Sequence, residues 1–222
     1  MSLYLNQQRT NTLNKIIESQ LVAIIRLAQQ SEIESVIKCL VEGGVTTLEI
    51  TANTPGYCEE ISKARANYPE ILVGAGTVIN TERANLAIEA GAQFLVTPNT
   101  ESTIVQLAHS KGIPVLMGAL TPTDIAQAIH FNADLIKVFP AGALGVNYFK
   151  GLQGPFSNTP LMPVGGVNID NIEEWFSAGA IGVGVGNDLT RAVTTPEQQN
   201  KLITLVQAYL AKLPKNKGTT HV

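Results

Sequence analysis

Lys137 lies inside Ala133-Asp134-Leu135-Ile136-Lys137-Val138-Phe139-Pro140, a run that otherwise has the composition of a strand buried on both faces. A fixed ammonium there is costly to desolvate unless a partner or a chemical role offsets the cost. Burial favours the neutral amine, which is the nucleophilic form and can make a Schiff base with a carbonyl. The plain alternative is a lysine whose stem crosses apolar surface while its head reaches water or a carboxylate. Glu49, within Thr47-Leu48-Glu49-Ile50-Thr51, is the second residue of this kind. It is either a counter-ion for Lys137 or Arg26, or a general acid/base tuned by apolar walls and nearby cations. A buried lysine and a buried glutamate facing one cavity from different strands form the minimum kit for imine chemistry. The lysine supplies an electron sink, and the glutamate moves protons.

Further polar residues stand where apolar runs end. Arg26 closes Leu21–Arg26, and its planar fork can clamp a carboxylate or pair with Glu49. Thr77, in Gly74-Ala75-Gly76-Thr77-Val78, offers a hydroxyl and N–H groups beside glycines that admit a ligand to the backbone; an ordinary strand-to-helix turn has the same residues. Phe139-Pro140 can wall the lysine or simply pack. Val164-Gly165-Gly166-Val167-Asn168 and Gly184-Val185-Gly186-Asn187-Asp188 close the last two runs. Glycine loops that open a helix bind phosphate through backbone N–H groups, although tight turns use glycine equally well. Their occurrence at both places favours phosphate. Asp188 weighs against it, because a carboxylate pointing inward would repel the anion.

These residues must be positioned by a repeating framework. Short β-branched runs recur at Leu21–Arg26, Thr46–Thr51, Ile71–Gly76, Phe94–Thr97, Pro114–Gly118, Asp134–Phe139, Leu161–Val164 and Ile181–Val185. Amphipathic stretches follow them: Ser31–Glu42, Gly56–Ala66, Thr81–Ala90, Glu101–Lys111, Thr123–Ile129, Val146–Leu152, Ile169–Ala178 and Pro196–Leu213. Such alternation predicts an α/β fold, a (β/α)8 TIM barrel, with an extra N-terminal helix over Gln8–Gln20 covering the floor. Barrel enzymes carry their chemistry at the carboxyl ends of the strands, where Arg26, Glu49, Thr51, Thr77, Thr97-Pro98-Asn99 and Lys137 fall.

The 222 residues, 45% of them hydrophobic, suffice for one core, so residues 1–214 are read as a single domain with a polar, disordered tail over 215–222. A net charge of −3 provides no basic field for nucleic acid or an anionic membrane. No run approaches the ~20 apolar residues of a membrane span, and the first residues contain no signal-peptide core, so a cytoplasmic protein is expected. Cys39 and Cys58 make no disulfide framework, and His109, His130 and His221 are scattered, so neither a metal nor an organic cofactor is called for.

Gly43-Gly44-Val45 with Leu48-Glu49-Ile50-Thr51, Gly74 to Val78, Gly91-Ala92-Gln93-Phe94 with Thr97-Pro98, Lys137-Val138-Phe139-Pro140, Gly151 to Phe156, and Pro163 to Asn168 occur in this order. In these motifs the chain, from about Leu21 to Leu189, resembles the 2-keto-3-deoxy-6-phosphogluconate (KDPG) aldolase family, which includes 4-hydroxy-2-oxoglutarate (KHG) aldolases. The resemblance implies a class I lyase, usually a homotrimer, with Lys137 as the Schiff-base lysine and Glu49 as the proton-transfer residue. It implies Thr77 at the pyruvate moiety, and Gly165, Gly166, Gly186 and Asn187 at the phosphate, with Asn187 where many relatives carry serine. Arg26, Thr51, Asn53, Pro98 and Phe139 complete the expected substrate-binding set. Asn53 departs from the pattern: many members have a carboxylate-binding arginine there, and asparagine supplies neither its charge nor its fork. Members acting on the galactonate epimer resemble this stretch, with Asn near this point and a motif like Thr97-Pro98-Asn99. The expected reaction is reversible cleavage of KDPG to pyruvate and glyceraldehyde 3-phosphate, with KHG as a further substrate. The alternatives are the galactonate epimer, a phosphosugar isomerase or epimerase, and a non-catalytic ligand-binding barrel.

Overall fold

The computed structural model of the chain describes residues 2–214; the tail expected to be disordered, 215–222, lies outside the described residues. Eight strands are present: β1 (Leu21–Ile25), β2 (Thr47–Thr51), β3 (Leu72–Gly76), β4 (Leu95–Val96), β5 (Val115–Ala119), β6 (Leu135–Val138), β7 (Leu161–Pro163) and β8 (Val183–Val185). All pair in parallel in the order β7-β6-β5-β4-β3-β2-β1-β8, and a parallel bridge between Val164 and Gly184 joins the two ends. The result is the expected (β/α)8 barrel.

Helices α1 (Ser2–Ser19), α2 (Ile33–Glu42), α3 (Tyr57–Asn67), α4 (Thr81–Glu89), α5 (Ser102–Ser110), α6 (Pro122–His130), α7 (Ala141–Leu152), α8 (Ile172–Ser177) and α9 (Pro196–Ala211) complete it. Thr121 and Thr195 each open a helix with a capping box and a proline in the first turn, which fixes the starts of α6 and α9.

Period-two alternation divides the strand residues between two apolar clusters. Leu48, Ile50, Val73, Ala75, Ile136 and Val138 face the helices, while Val22, Ile24, Leu72, Phe94, Leu116, Leu135, Met162 and Val164 fill the barrel with Ile16 of α1. Lys137 and Glu49 have inward parity, since Lys137 pairs with Met162 and Glu49 with Ile24. Several inward positions are glycine, and the missing side chains are replaced by large neighbours. A Cβ on Gly74 would meet the Phe94 ring at 2.5 Å, and one on Gly184 would meet Val164 at 2.7 Å.

Three helix limits differ from expectation for local reasons. The opening helix begins at Ser2 rather than Gln8, and Arg9 on it pairs with Asp134 at 3.3 Å. The seventh helix starts at Ala141 rather than Val146; Gly145, at φ 79°, kinks it and gives the sequence the look of a break. The eighth starts at Ile172 rather than Ile169, because the Asn168 side chain accepts from the N–H groups of Asp170 and Asn171, both at 3.0 Å, in a turn.

Candidate active site

Lys137 is the last inward residue of β6 and is 5% exposed. Its partner across β5 is Gly118, so that flank carries no side chain, and its Nζ stands 5.0 Å from the centroid of the Phe139 ring. Burial pushes its pKa below the ordinary lysine range; the Glu49 carboxylate acts upward and the Arg26 guanidinium downward.

Glu49 is 2% exposed on β2. Its carboxylate occupies the space where Gly76 has no side chain, since a Cβ there would fall on Glu49 Oε1. Oε1 is buried without a hydrogen-bond partner. Burial raises its pKa above the usual carboxylate range, and Lys137 and then Arg26 draw it back. The amine and the carboxylate thus feel each other without a direct ion pair among the described residues. A buried acid and a buried base with opposed shifts are a functional arrangement before they are a stabilising one.

A cavity of about 320 Å³ opens above Lys137 and carries Arg26, Phe139, Gly165, Gly166, Gly186 and Asn187 on its wall. Seven of the sequence-predicted residues, Lys137 included, are brought together there. Its volume is at the lower end of the ~300–1,000 Å³ typical of small-molecule sites. Gly165 and Gly166 have φ of 85° and 82°, a backbone that side chains disfavour, and their loop is tied by Asn171, whose Nδ2 donates to Gly166 O at 2.8 Å. Gly142 of α7 lies against this loop; a Cβ on it would stand 2.7 Å from Gly166 Cα. The Asp188 carboxylate accepts from the Tyr209 hydroxyl of α9 at 2.7 Å and has Arg191 at 3.8 Å. Asp188 also lines the cavity, so these contacts turn its carboxylate toward Tyr209 and Arg191 but leave an acidic residue on the wall.

Thr77 is beside the cavity rather than on its wall, and its hydroxyl accepts from Arg26 Nη2 at 3.3 Å. Its φ of 56° is an outlier for a β-branched residue, a strain of order 1–3 kcal/mol that the surroundings must hold. Thr51, Asn53 and Pro98 are not on the wall. The Thr51 hydroxyl is buried, 3.2 Å from Ile25 O and 2.9 Å from Thr54 Oγ1. Asn53 is exposed, and Pro98 is held against Gly118 by Thr97, whose hydroxyl accepts from Gly118 N at 2.9 Å. Sequence reasoning missed Ile24 as a lining residue; Val164, Val167, Asn168, Gly184 and Asp188, which also line the cavity, lie in the two glycine motifs it singled out. The inward parity of Arg26 and Lys137 carried that signal, since Ile24 precedes Arg26 by two residues. Among the described residues no three His, Cys, Asp or Glu side chains cluster in a way that could hold a metal.

The cavity wall carries a buried amine, a guanidinium and the backbone of two glycine-rich loops, while the Glu49 carboxylate is buried off that wall and is linked to it through its electrostatic effect on Lys137. A family model described as "Aldolase: KDPG and KHG aldolase" matches residues 13–205. The 2-dehydro-3-deoxy-6-phosphogalactonate aldolase of Escherichia coli (strain K12) is 32% identical over 192 residues, 85% of this chain and 94% of that protein. The 2-dehydro-3-deoxy-phosphogluconate aldolase of Haemophilus influenzae is 33% identical over 166 residues, 74% of this chain and 78% of that protein. A solved structure described as "Native KDPGal structure" superposes with a TM-score of 0.80 at 31% identity, covering 86% of this chain and 93% of the other. The match extends from α1 to α9 and takes in every strand that carries a wall residue, so the chain belongs to the family of KDPG and KHG aldolases, which are carbon–carbon lyases.

Proposed function

We propose that the chain is a class I aldolase that reversibly cleaves a 2-keto-3-deoxy-6-phospho sugar acid to pyruvate and glyceraldehyde 3-phosphate. Lys137 carries the reading: a buried amine with a depressed pKa, on the wall of a cavity that also holds a glycine-rich loop pair. Neutral Lys137 adds to the C2 carbonyl, and loss of water leaves a protonated imine. As the C3–C4 bond breaks, its electron pair moves into that cation to give an enamine, while Glu49 takes the C4 hydroxyl proton directly or through a water. Proton return from Glu49 to C3 and hydrolysis of the imine release pyruvate. The Phe139 face below Lys137 favours the cationic imine. Arg26 and Thr77 receive the carboxylate, and Gly165, Gly166, Gly186 and Asn187 receive the phosphate.

Of the two epimers, the galactonate form has more support. The E. coli galactonate-epimer aldolase aligns over 94% of its own length at 32% identity and the H. influenzae gluconate one over 78% at 33%, and Asn53, in place of the arginine that many family members carry, resembles the galactonate-epimer members. A lactate-dehydrogenase-coupled assay of pyruvate release, run on both epimers and on 4-hydroxy-2-oxoglutarate, tests this. A kcat/KM for the galactonate epimer at least about tenfold above that for the gluconate epimer is expected. The reverse ratio assigns the gluconate epimer, and release from none of the three ends the aldolase reading. The same reading includes a homotrimer, for which the exposed Ile79, Leu86 and Leu144 offer apolar surface. Native mass spectrometry returning three chains checks it.

A further inference from the structure

We infer that Arg83 is a positioning residue for the pyruvate end of this site: it holds Thr77 in the conformation that presents a hydroxyl and an N–H to the substrate carboxylate. The inference rests on the aldolase reading above and adds a residue that neither the motifs nor the cavity wall contain.

Thr77 occupies a left-handed conformation at φ 56° without being glycine, and such a residue stays there only when its neighbours over-determine it. Each peptide group around it is pinned. Gly76 O accepts from Ala52 N at 2.7 Å, and Val78 N donates to Val96 O at 3.2 Å. The remaining group, Thr77 O, accepts from Arg83 Nη1 at 3.2 Å. The Thr77 N–H has no acceptor among the described residues, and the Thr77 hydroxyl already faces the cavity-wall guanidinium of Arg26. Two donors are therefore kept free, or shared only with Arg26, beside the cavity.

The place of Arg83 on its helix points the same way. It is the third residue of α4, with its N–H accepted by the Asn80 cap at 2.9 Å. A cation there opposes the helix dipole, and Glu or Gln is the residue a capped helix favours at that position. Arg83 instead sends its side chain back past the cap to Thr77. The helix gains nothing from that choice, and the strained turn does.

The test uses Arg83→Gln and Arg83→Lys in the full chain. Glutamine suits the helix position, so α4 is retained while the guanidinium is lost. Two quantities are read for each variant: the pyruvate concentration giving half-maximal borohydride trapping on Lys137, and the competitive inhibition constant of glyceraldehyde 3-phosphate. For Arg83→Gln the half-saturating pyruvate rises about tenfold, the aldehyde-phosphate constant stays within about twofold, and the thermal midpoint does not fall. Arg83→Lys recovers part of the pyruvate affinity. Unchanged pyruvate affinity in Arg83→Gln overturns the inference while leaving the aldolase reading standing. So does an equal loss at both ends accompanied by a lower thermal midpoint, which marks a structural role alone. A wild-type chain that forms no pyruvate adduct removes the aldolase reading, and the inference with it.

Discussion

At 5% exposure Lys137 is held where its charged form is disfavoured, and Glu49, at 2%, is held where its own charged form is disfavoured too. Each partly compensates the other, so titrating or removing one shifts its partner. The rate of pyruvate-dependent borohydride trapping on Lys137 rises with pH, with its midpoint below the 10.5 of an ordinary lysine. Because the Glu49 carboxylate acts upward on Lys137, Glu49→Gln moves that midpoint further down; an upward move contradicts the pairing. The same shifts govern stability. Native Lys137 loses its proton earlier than the unfolded chain does, so stability rises with pH between the native value and 10.5. Native Glu49 keeps its proton longer, so stability falls as pH rises from 4.5 through its native value. Lys137→Met combined with Glu49→Leu therefore flattens both dependences. Denaturant unfolding finds this variant neutral to about 4 kcal/mol more stable, and inactive. Both residues were legible in the sequence, because a charged side chain inside a strand-like apolar run must be paired or reactive to offset its desolvation. The reach of Arg83 to Thr77 was not, because a six-residue back-contact leaves no periodic trace.

In the proposed reaction different elements place the two ends of the substrate. The glycine loop after β7, proposed for the phosphate, rests on the first turn of α7, where Gly142 has only hydrogen facing Gly166 Cα at 2.7 Å and Gly165 O at 2.8 Å from a would-be Cβ. Backbone cannot yield there as a flexible side chain would. Gly142→Ala displaces the loop and raises KM for the phosphorylated substrate by about tenfold or more, with pyruvate trapping unchanged. Equal KM values in the two proteins remove the loop from the phosphate site. Thr195→Ala, away from the site at the α9 cap, costs about 1 kcal/mol of unfolding free energy by denaturant titration and leaves kcat alone. Strands and most helices could be read from periodicity and caps. The starts of α7 and α8 could not, because Gly145 imitates a helix stop and the Asn168 side chain builds a turn where its sequence advertises a cap.

Across the molecule the barrel separates a stability end from a chemistry end. At the strand starts, Ile16 of α1 is fully buried among inward residues, and Arg9 and His109 both engage Asp134, at 3.3 and 2.8 Å. Ile16→Ala costs about 2–5 kcal/mol while kcat per folded molecule is kept. The barrel and its carboxyl-end site followed from eight alternating units, since only one end of a parallel barrel gathers all the loops after its strands. The distribution of inward glycines, which lets Glu49 and Val164 fill their neighbours' space, depended on three-dimensional packing and was not legible. Imine formation between Lys137 and the keto acid is tested by incubating the protein with pyruvate and borohydride and mapping the modified peptide by mass spectrometry. A reduced pyruvate adduct on Lys137, absent from Lys137→Ala, is the expected result; an adduct on another lysine, or none while pyruvate is still produced from substrate, contradicts the assignment.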